Sequence, residues 1–301
     1  MPPRDTPMAI TYAWLGVGVA SVSAVAIFIR LADTDPLTFA AYRMLLAAGM
    51  VAVPTLLRAR GELFGLTWPD ILLLSISGLF LATHFAVWTA SLSLTSVASS
   101  VLLVTMSPIF VAAGSHLVLR ERVRPMTIAA IVISLAGGGV LAFGDLDWSD
   151  RRLLGDGLAL TGAVVVGIHM LIGRKARRSV GNLPYVTVAY TAAAIALLAG
   201  ALVSGAPMLG LPSGTYFWIF VTALVPQAIG HSLLNWSLGH VSATNVALAV
   251  RAEPIVATLL AIPVLGETPS WTVVPGGALV LLGVYLGIKG EGTSAPSVPK
   301  A

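Results

Sequence analysis

This chain has few charged residues and no cysteine. Only 10% of the 301 residues are charged, whereas 57% are hydrophobic, and cysteine is absent. A soluble protein of this length needs more charge to cover its surface. Without cysteine the chain has no disulfide framework, thiolate nucleophile or thiolate metal site. Apolar runs recur instead, each long enough to cross a hydrocarbon core of about 30 Å. They predict an all-α integral membrane protein.

Motifs for catalysis, nucleotide binding and metal binding are missing as well. The chain has no Walker-type phosphate loop, no Gly-x-Ser-x-Gly and no His-Glu-x-x-His, and its five histidines lack metal-ligand spacing. We therefore expect no enzymatic activity, no cofactor and no metal. The net charge of +4 does not indicate nucleic-acid binding, because the basic residues lie in short loops. The expected partners are the lipid bilayer and a small-molecule substrate, with the chain a monomer or homodimer.

Hydropathy predicts ten membrane spans joined by short connections. Beyond them, residues 290–301 are rich in Gly, Ser and Pro, which predicts a disordered tail. The predicted spans are span 1 (9–29), span 2 (36–57), span 3 (69–91), span 4 (96–118), span 5 (125–144), span 6 (155–173), span 7 (184–204), span 8 (214–237), span 9 (242–265) and span 10 (271–289).

Lys and Arg are unevenly distributed over the connections between spans. With the N-terminus inside, the inner segments carry twelve Lys or Arg, whereas the outer loops carry three, which are Arg30, Arg151 and Arg152. The positive-inside rule therefore predicts that both termini face the cytoplasm. We expect a multi-pass protein of a bacterial-type inner (cytoplasmic) membrane.

Two stretches of the chain, 146 positions apart, resemble each other. Residues 96–121 and 242–267 are identical at eight of 26 aligned positions, among them Pro108/Pro254 and Glu121/Glu267. Shared Pro and Glu are informative because Glu is scarce in this chain and both residues are costly in apolar helices. The pattern indicates a tandem duplication, in which Pro and Glu at these positions serve the common scaffold.

The duplicated unit holds five predicted spans, an odd number, so the second copy crosses the membrane in the opposite direction. We expect a first repeat over residues 1–150 and an inverted second repeat over 151–289, arranged around a central cavity. Inverted repeats are typical of transporters that open a central site to each side in turn. In the alternative interpretation the duplication only builds a stable scaffold, as in some channels and membrane enzymes.

Three motifs stand out, and they are FAAYRMLLA at 39–47, SPIF at 107–110 with LRER at 119–122, and EPIV at 253–256 with LGE at 265–267. They resemble the drug/metabolite transporter superfamily, and within it the EamA-type ten-helix exporters. The resemblance covers residues 9–289 and implies export of amino acids, other small metabolites or drugs, with the YddG-type amino-acid exporters most similar. Span 1 has no carboxylate, unlike the first helix of small multidrug exchangers, which argues against two-proton exchange of polycationic drugs.

Three charged residues fall at membrane depth, where a charge is costly unless it is paired or hydrated. Arg43 and Glu253 are interpreted mainly as structural charges that join helices, with substrate binding as the alternative. Arg251 is equally compatible with a substrate site, because its counterpart in the first copy is Thr105 and the scaffold therefore does not require it. Glu253 replaces Ser107 in the same way.

Polar and aromatic side chains line single faces of spans 3 and 8. His84 and Trp88 are four residues apart, as are Gln227 and His231, so each pair shares one helical face. Such a face suits a cavity that binds a small amphipathic solute, although hydrogen bonding between helices is the simpler explanation for any one polar residue. The predicted substrate-binding residues are His84, Trp88, Gln227, His231, Ser99, Met106, His169 and Arg251.

Pro108 and Pro254 interrupt spans 4 and 9 near mid-membrane, and their symmetric positions predict hinges, with a packing kink as the alternative. The sequence thus favours a secondary transporter that exports small amphipathic metabolites, above all neutral or aromatic amino acids, by facilitated diffusion with alternating access. A multidrug or proton-coupled efflux pump is the nearest alternative. A channel or an intramembrane enzyme is less favoured.

Overall fold

The computed structural model describes residues 7–142, 149–265 and 271–291, and within these ranges it contains helices and turns but no strand. Nine helices or helix pairs in the described ranges are long and apolar enough to cross a membrane. Span 5 forms the shorter apolar helix Pro125–Leu141. The protein is therefore a multi-pass membrane protein. Glu267 and residues 292–301 of the predicted tail lie outside the described residues.

The helices follow the predicted spans closely, and several spans consist of more than one helical segment. Span 8 contains a π-helical segment between two α-helices. The bounds are Met8–Ser23 and Val25–Ala32 in span 1, Pro36–Arg58 in span 2, a short helix Arg60–Phe64, Trp68–Ser91 in span 3, Val97–Val104 and Ser107–Leu117 in span 4, Pro125–Ala142 in span 5, Asp150–Ala176 in span 6, Asn182–Val203 in span 7, Ser213–Thr222, Ala223–His231 (π) and Ser232–Ser237 in span 8, Ala243–Val250 and Glu253–Leu265 in span 9, and Val273–Glu291 in span 10.

The main helix contacts follow a regular scheme. Span 5 packs on span 10, span 2 on span 7, and span 4 on span 9. Span 3 packs on span 6, and span 1 packs on span 8. If each span is exchanged with the one five places away, these five contacts map onto one another. A bundle of two similar halves related by a twofold axis has this property.

Small residues bring several of these helices into backbone contact. A Cβ added at Gly137 in span 5 would lie 2.7 Å from the carbonyl oxygen of Gly276 in span 10. A Cβ added at Gly283 would lie 2.6 Å from the carbonyl oxygen of Ala130 on the same interface. Apolar side chains gain little by leaving lipid for another apolar surface, so close packing of small residues supplies much of the association between membrane helices.

Spans 4 and 9 share the same local construction at positions 146 apart. The Ser96 side chain accepts a hydrogen bond from the backbone N–H of Ser99 at 3.0 Å, and Ser242 accepts one from the N–H of Asn245 at 3.3 Å. Each span then runs as an eight-residue helix before it breaks. The repeat seen in the sequence therefore extends to the helix caps.

The breaks lie just before the prolines and not at them. The turns are Thr105–Met106 in span 4 and Arg251–Ala252 in span 9, and helices resume at Ser107 and Glu253. Pro108 and Pro254 thus occupy the second position of the resumed helices, where a proline lacks only an N–H that would have no helical acceptor. The proline fixes where the second helix begins, and the preceding turn supplies the interruption that the sequence predicted.

Glu121 joins two spans at the end that the loop charges predict to be cytoplasmic. Its Oε1 accepts hydrogen bonds from Arg174 Nε at 3.1 Å and from Arg178 Nη2 at 2.8 Å. Arg174 Nη1 also donates to the carbonyl of Leu238 at the end of span 8. Glu121 thus links span 4 to span 6, as expected of a structural charge. Because both arginines are partly exposed, each ion pair contributes only modestly to stability.

Candidate functional site

A cavity lies where spans 1, 3, 4, 6, 8 and 9 meet. Its wall is largely apolar, with valines from four of these spans together with Met170 and Leu234. The breaks of spans 4 and 9 both reach it, so residues from the two copies of the motif face the same space. The polar and aromatic lining residues are His84, Trp88, Thr105, Ser107, His231 and Glu253.

The cavity has a volume of about 40 Å³. This volume holds only a few water molecules, since one water needs about 10–15 Å³ on the same measure. Sites for small organic ligands are commonly on the order of 300–1,000 Å³. The cavity is therefore too small for a metabolite in this conformation, and binding at this position requires the surrounding spans to separate.

His84 and Trp88 form an aromatic wall of the cavity. Their rings stack with centroids 5.9 Å apart and planes inclined by 12°. His84 Nδ1 lies 3.0 Å from the carbonyl oxygen of Gly162, which can only accept, so Nδ1 carries the proton and Nε2 remains an acceptor. Trp88 Nε1 is buried without a hydrogen-bond partner among the described residues. The wall thus presents one free donor beside an apolar face, which suits an amphipathic ligand.

Phe85, next to this wall, links the cavity to a buried arginine. His231 meets the Phe85 ring edge-on at 5.3 Å between centroids, and His231 itself lines the cavity. The guanidinium carbon of Arg43 lies 4.1 Å from the centre of the same ring, within the range of a cation–π contact. Span 2 therefore contributes a positive charge directly beside the cavity lining.

Arg43 is 1% exposed, and none of its three guanidinium nitrogens has a hydrogen-bond partner in the part of the chain that the structure describes. Glu253, which lines the cavity, interacts with it electrostatically. A buried cation with no hydrogen bond is costly, since each unsatisfied polar group loses about 1–3 kcal/mol and charged groups more. The expected structural role of Arg43 predicts bonds to neighbouring helices, and the described residues supply none.

Gln227 lies in the π-helical segment Ala223–His231, where Pro226 lacks the N–H needed for a regular α-helix. The side chain is fully buried, and neither amide atom has a partner among the residues described here. In this conformation Gln227 does not belong to the described lining of the cavity. It lies one π-helical turn before His231, which does, so the predicted shared face is only partly realised.

Arg251 forms a structural contact through its two terminal guanidinium nitrogens, whereas its Nε has no hydrogen-bond partner among the described residues. Its Nη1 donates to the carbonyl of Leu102 at 3.2 Å and to Thr105 Oγ1 at 3.0 Å, and its Nη2 donates to the carbonyl of Ser134 at 2.8 Å. The guanidinium fits because position 138 is glycine, where an added Cβ would lie 2.2 Å from Nη2. Arg251 thus binds the broken helix of span 4, outside the described lining of the cavity, instead of facing it as predicted for a substrate residue.

The remaining predicted residues also lie outside the described lining. His169 Nδ1 donates to the carbonyl of Ser77 at 3.0 Å, and Ser77 Oγ contacts Tyr185 OH at 2.9 Å, so this histidine joins spans 3, 6 and 7. Ser99 Oγ donates to Asp156 Oδ1 at 2.8 Å near the start of span 6. Met106 lies in the turn that breaks span 4.

Ser107 lines the cavity although the sequence did not predict it as a site residue, and Thr105, a polar candidate of the same span, lines it as well. The signal for them is the repeat itself. Thr105 and Ser107 occupy the positions of Arg251 and Glu253 in the first copy, so a break that brings one copy to a central cavity is expected to bring the other there too. Comparison of the two copies position by position would have identified them.

The chain is similar to proteins described as transporters. The model of the EamA-like transporter family matches residues 8–143 and 153–288. An uncharacterized transporter of Archaeoglobus fulgidus is 25% identical over 267 residues, which cover 86% of this chain and 91% of that protein. A probable terminal-alkyne amino-acid exporter of Streptantibioticus cattleyicolor is 27% identical over 190 residues, which cover 62% of each protein.

A solved crystal structure has a similar fold. It superposes with a TM-score of 0.77 at 20% sequence identity, and the alignment covers 92% of this chain and 96% of the other. At this identity the match shows a shared fold and carries no information about the transported solute.

Proposed function

The chain belongs to the EamA-like transporter family, and on that premise we propose that it exports small amphipathic metabolites, with neutral and aromatic amino acids as the substrate class. Alternating access by facilitated diffusion is the proposed mechanism. The similar protein of Streptantibioticus cattleyicolor is described as a probable terminal-alkyne amino-acid exporter, which supports this substrate class. The largely apolar wall of the cavity is compatible with an amino acid whose side chain is apolar.

The architecture proposed for this activity is a pair of inverted five-span repeats, 1–150 and 151–289. Two separate matches to one family model support the duplication. The twofold scheme of helix contacts and the odd number of spans in each repeat support the inversion. The charge asymmetry of the connections supports cytoplasmic termini and a location in the inner membrane, with span 5 crossing as the shortest helix.

The observation that carries the proposal is the position of the closed cavity. It lies between the broken helices of both copies, and Ser107 and Glu253, which occupy equivalent positions, both line it. Because each break separates a helix into two short segments, either half can tilt without unfolding the rest of its span. Pro108 and Pro254 keep the second segments intact while the turns act as hinges. A site placed between two such hinges can open to one side and then to the other.

The proposed substrate site consists of the aromatic wall His84–Trp88 with His231, and Gln227 joins it when the cavity opens. The aromatic rings and the valines accept an apolar side chain, and the polar groups orient its charged end. Ser99, His169 and Arg251 hold the surrounding helices in position through the hydrogen bonds described above. The proposal thus separates the predicted residues into a binding group and a supporting group.

Counterflow in proteoliposomes tests the proposal. Vesicles preloaded with unlabelled amino acids are diluted into a panel of radiolabelled neutral amino acids, and we expect transient accumulation of at least one aromatic member. A channel gives no such trans-stimulation, so equal uptake with and without preloading would reject the carrier mechanism. Absence of uptake across the whole panel would reject the substrate class.

Two tryptophans of span 3 provide a matched pair for the site. Trp88→Ala removes the buried wall of the cavity, and we expect it to abolish counterflow without lowering the amount of reconstituted protein. Trp68→Ala changes an exposed residue at the start of the same helix, 73% accessible, and should leave counterflow near wild type. Equal activity of the two variants would contradict the proposed position of the site.

Efflux of lipophilic cations is a second candidate, because Glu253 lines an aromatic cavity as a cation site requires. The nearby cation Arg43 disfavours a second positive charge in the same space. Resistance to tetraphenylphosphonium in an expressing strain distinguishes the two activities. Resistance that is lost in Glu253→Gln would support the cation pump, and unchanged sensitivity of the expressing strain would exclude it.

A further inference from the structure

We propose that Arg43 and Glu253 are the two charged ends of a zwitterion site, in which Arg43 binds the α-carboxylate and Glu253 binds the α-ammonium group. This inference rests on the proposed function and assigns its recognition chemistry. It gives both residues a role in selectivity, in place of a purely structural one.

The first observation is the contrast between the two buried arginines. Arg251 and Arg43 are 0% and 1% exposed. Arg251 donates to three acceptors on spans 4 and 5, as expected of a residue that fastens helices together. Arg43 has no hydrogen bond among the described residues and contacts the face of Phe85. A structural role explains Arg251 well, but it leaves the guanidinium of Arg43 without a hydrogen-bonding function.

The second observation is the position of Glu253. Its side chain lines the cavity at the start of the resumed helix of span 9, opposite the break in span 4. It also interacts electrostatically with Arg43. A carboxylate that faces the cavity and a cation beside its lining therefore lie at one site, with opposite charges available to one ligand.

Two further buried groups complete the arrangement. The Gln227 amide and the Trp88 indole N–H are unpartnered among the described residues, and both lie on the spans that surround the cavity. An amide and an indole can donate to a carboxylate that Arg43 has already attracted, and the guanidinium can bind that carboxylate through two parallel N–H groups. Opening of the cavity to admit an amino acid thus satisfies several donors at once.

A zwitterion also fits the charge balance of the site. Arg43 and Glu253 together are neutral, so a ligand with one positive and one negative group exchanges one pair of opposite charges for two hydrogen-bonded pairs. A ligand with a single charge leaves either Arg43 or Glu253 without its partner in a low-dielectric space, which is strongly unfavourable. Discrimination against amines and carboxylic acids of the same shape follows from this balance.

Competition by analogues of one substrate tests the assignment. Counterflow of radiolabelled L-phenylalanine is measured at about pH 6, below the usual α-amino pKa of about 7.7, with L-phenylalaninamide or 3-phenylpropanoate as competitor. The first analogue lacks the carboxylate and the second lacks the ammonium group. For the wild type we expect both to compete at least about 10-fold more weakly than phenylalanine itself, since one charge-assisted hydrogen bond corresponds to about that factor.

The two single variants should lose discrimination at opposite ends of the ligand. Arg43→Gln is expected to lower the apparent affinity for phenylalanine about 30-fold. L-Phenylalaninamide, which has no carboxylate to lose its partner, should compete at least as well as in the wild type. Glu253→Gln is likewise expected to lower the affinity for phenylalanine, whereas 3-phenylpropanoate, which lacks the ammonium group, should compete at least as well as in the wild type. If both variants weaken phenylalanine and the two analogues by equal factors, the assignment is wrong although the transport of amino acids stands. If the wild type shows no amino-acid counterflow, the proposed function and this inference both fail.

The double variant Arg43→Gln/Glu253→Gln separates recognition from helix fastening. A structural ion pair predicts that the double variant regains the transport lost in the single ones, because no buried charge is left alone. A zwitterion site predicts that it transports phenylalanine less well than either single variant, and recovery would overturn the proposal. Arg43→Lys keeps the positive charge and should retain the preference for phenylalanine over L-phenylalaninamide, so it serves as the control if Arg43→Gln yields too little folded protein. Loss of that preference in Arg43→Lys, with folded protein present, would also count against the assignment.

Discussion

The two copies of the repeated motif share a backbone and differ in charge. Both have a serine cap, an eight-residue helix, a two-residue turn and a helix with proline at its second position. The first copy carries Thr105 and Ser107 at the turn, and the second carries Arg251 and Glu253. The common backbone supplies the break, and only the second copy carries the charged pair.

The added charges serve different surfaces of the second copy. Arg251 reaches into the first copy and donates to Thr105, the residue at its own equivalent position. Glu253 faces the cavity together with Ser107. One substitution therefore joins the two breaks, and the other makes the cavity chemically asymmetric.

The largest effect is expected from Arg251→Gln, which removes the fastening. The carbonyls of Leu102 and Ser134 and the Thr105 hydroxyl would lose their common donor, at a cost of about 3 kcal/mol for charge-assisted bonds in a buried site. The midpoint of thermal unfolding in detergent should fall clearly. Arg43→Gln, which has no such bonds to lose, should change the midpoint far less. If Arg251→Gln left the midpoint unchanged but altered the substrate preference, Arg251 would instead be assigned to the substrate site.

A somewhat smaller effect is expected from Gly138→Ala. The new Cβ would lie 2.2 Å from Arg251 Nη2 and 2.4 Å from Leu102 Cδ1, so the guanidinium must move away from Ser134. We expect a loss of about 2 kcal/mol, seen as a lower unfolding midpoint. Gly139→Ala is the matched control, since a Cβ there meets no described atom within 4 Å. Equal midpoints for the two variants would mean that Arg251 does not depend on this space.

The two prolines test whether both copies contribute equally as hinges. Pro108→Ala and Pro254→Ala each restore an N–H at the second position of the resumed helix, which permits the two segments to join into one helix. We expect each variant to slow counterflow several-fold. The free energy of unfolding should change by no more than about 1 kcal/mol, so the unfolding midpoint should shift little. A strong effect in one copy alone would show that only that break moves during transport.

The smallest effect is expected from Thr105→Val, which keeps the shape of the side chain and removes one acceptor of Arg251. The other two acceptors remain, so the loss should be about 1 kcal/mol in unfolding free energy. In combination with Arg251→Gln the effects should not add, because both variants remove the same bond. Additive losses would place the role of Thr105 elsewhere, in its contact with the cavity.

The positions of the spans could be predicted from the sequence because hydrocarbon thickness and helix rise fix the length of an apolar segment. Family membership was predicted from the paired motifs and is confirmed by the two family matches. The face of span 3 that carries His84 and Trp88 was also accessible, since helical spacing alone aligns them. These features depend on local periodicity or on repeated residues within one chain.

Contacts between distant spans could not be predicted in this way. The acceptors of Arg251 lie 117 to 149 positions away, and no spacing rule connects them. The π-helical segment changes the rotation per residue in span 8. The prediction that Gln227 and His231 share one face assumed regular α-helical spacing, which this segment does not have. Ser99 and His169 were polar residues whose partners, Asp156 and Ser77, become apparent only when the helices are packed.

The small volume of the cavity has a consequence for the electrical insulation of the membrane. An elementary charge that crosses a potential of 100 mV releases about 2.3 kcal/mol, so any continuous file of water through a resting carrier would short-circuit the cell. The cavity of about 40 Å³ holds only a few waters and is bordered mainly by valines, and apolar constrictions of this kind dewet readily, so the cavity contributes little to such a file. In this conformation the valines around the cavity thus limit the passage of water and ions at this position in the bundle.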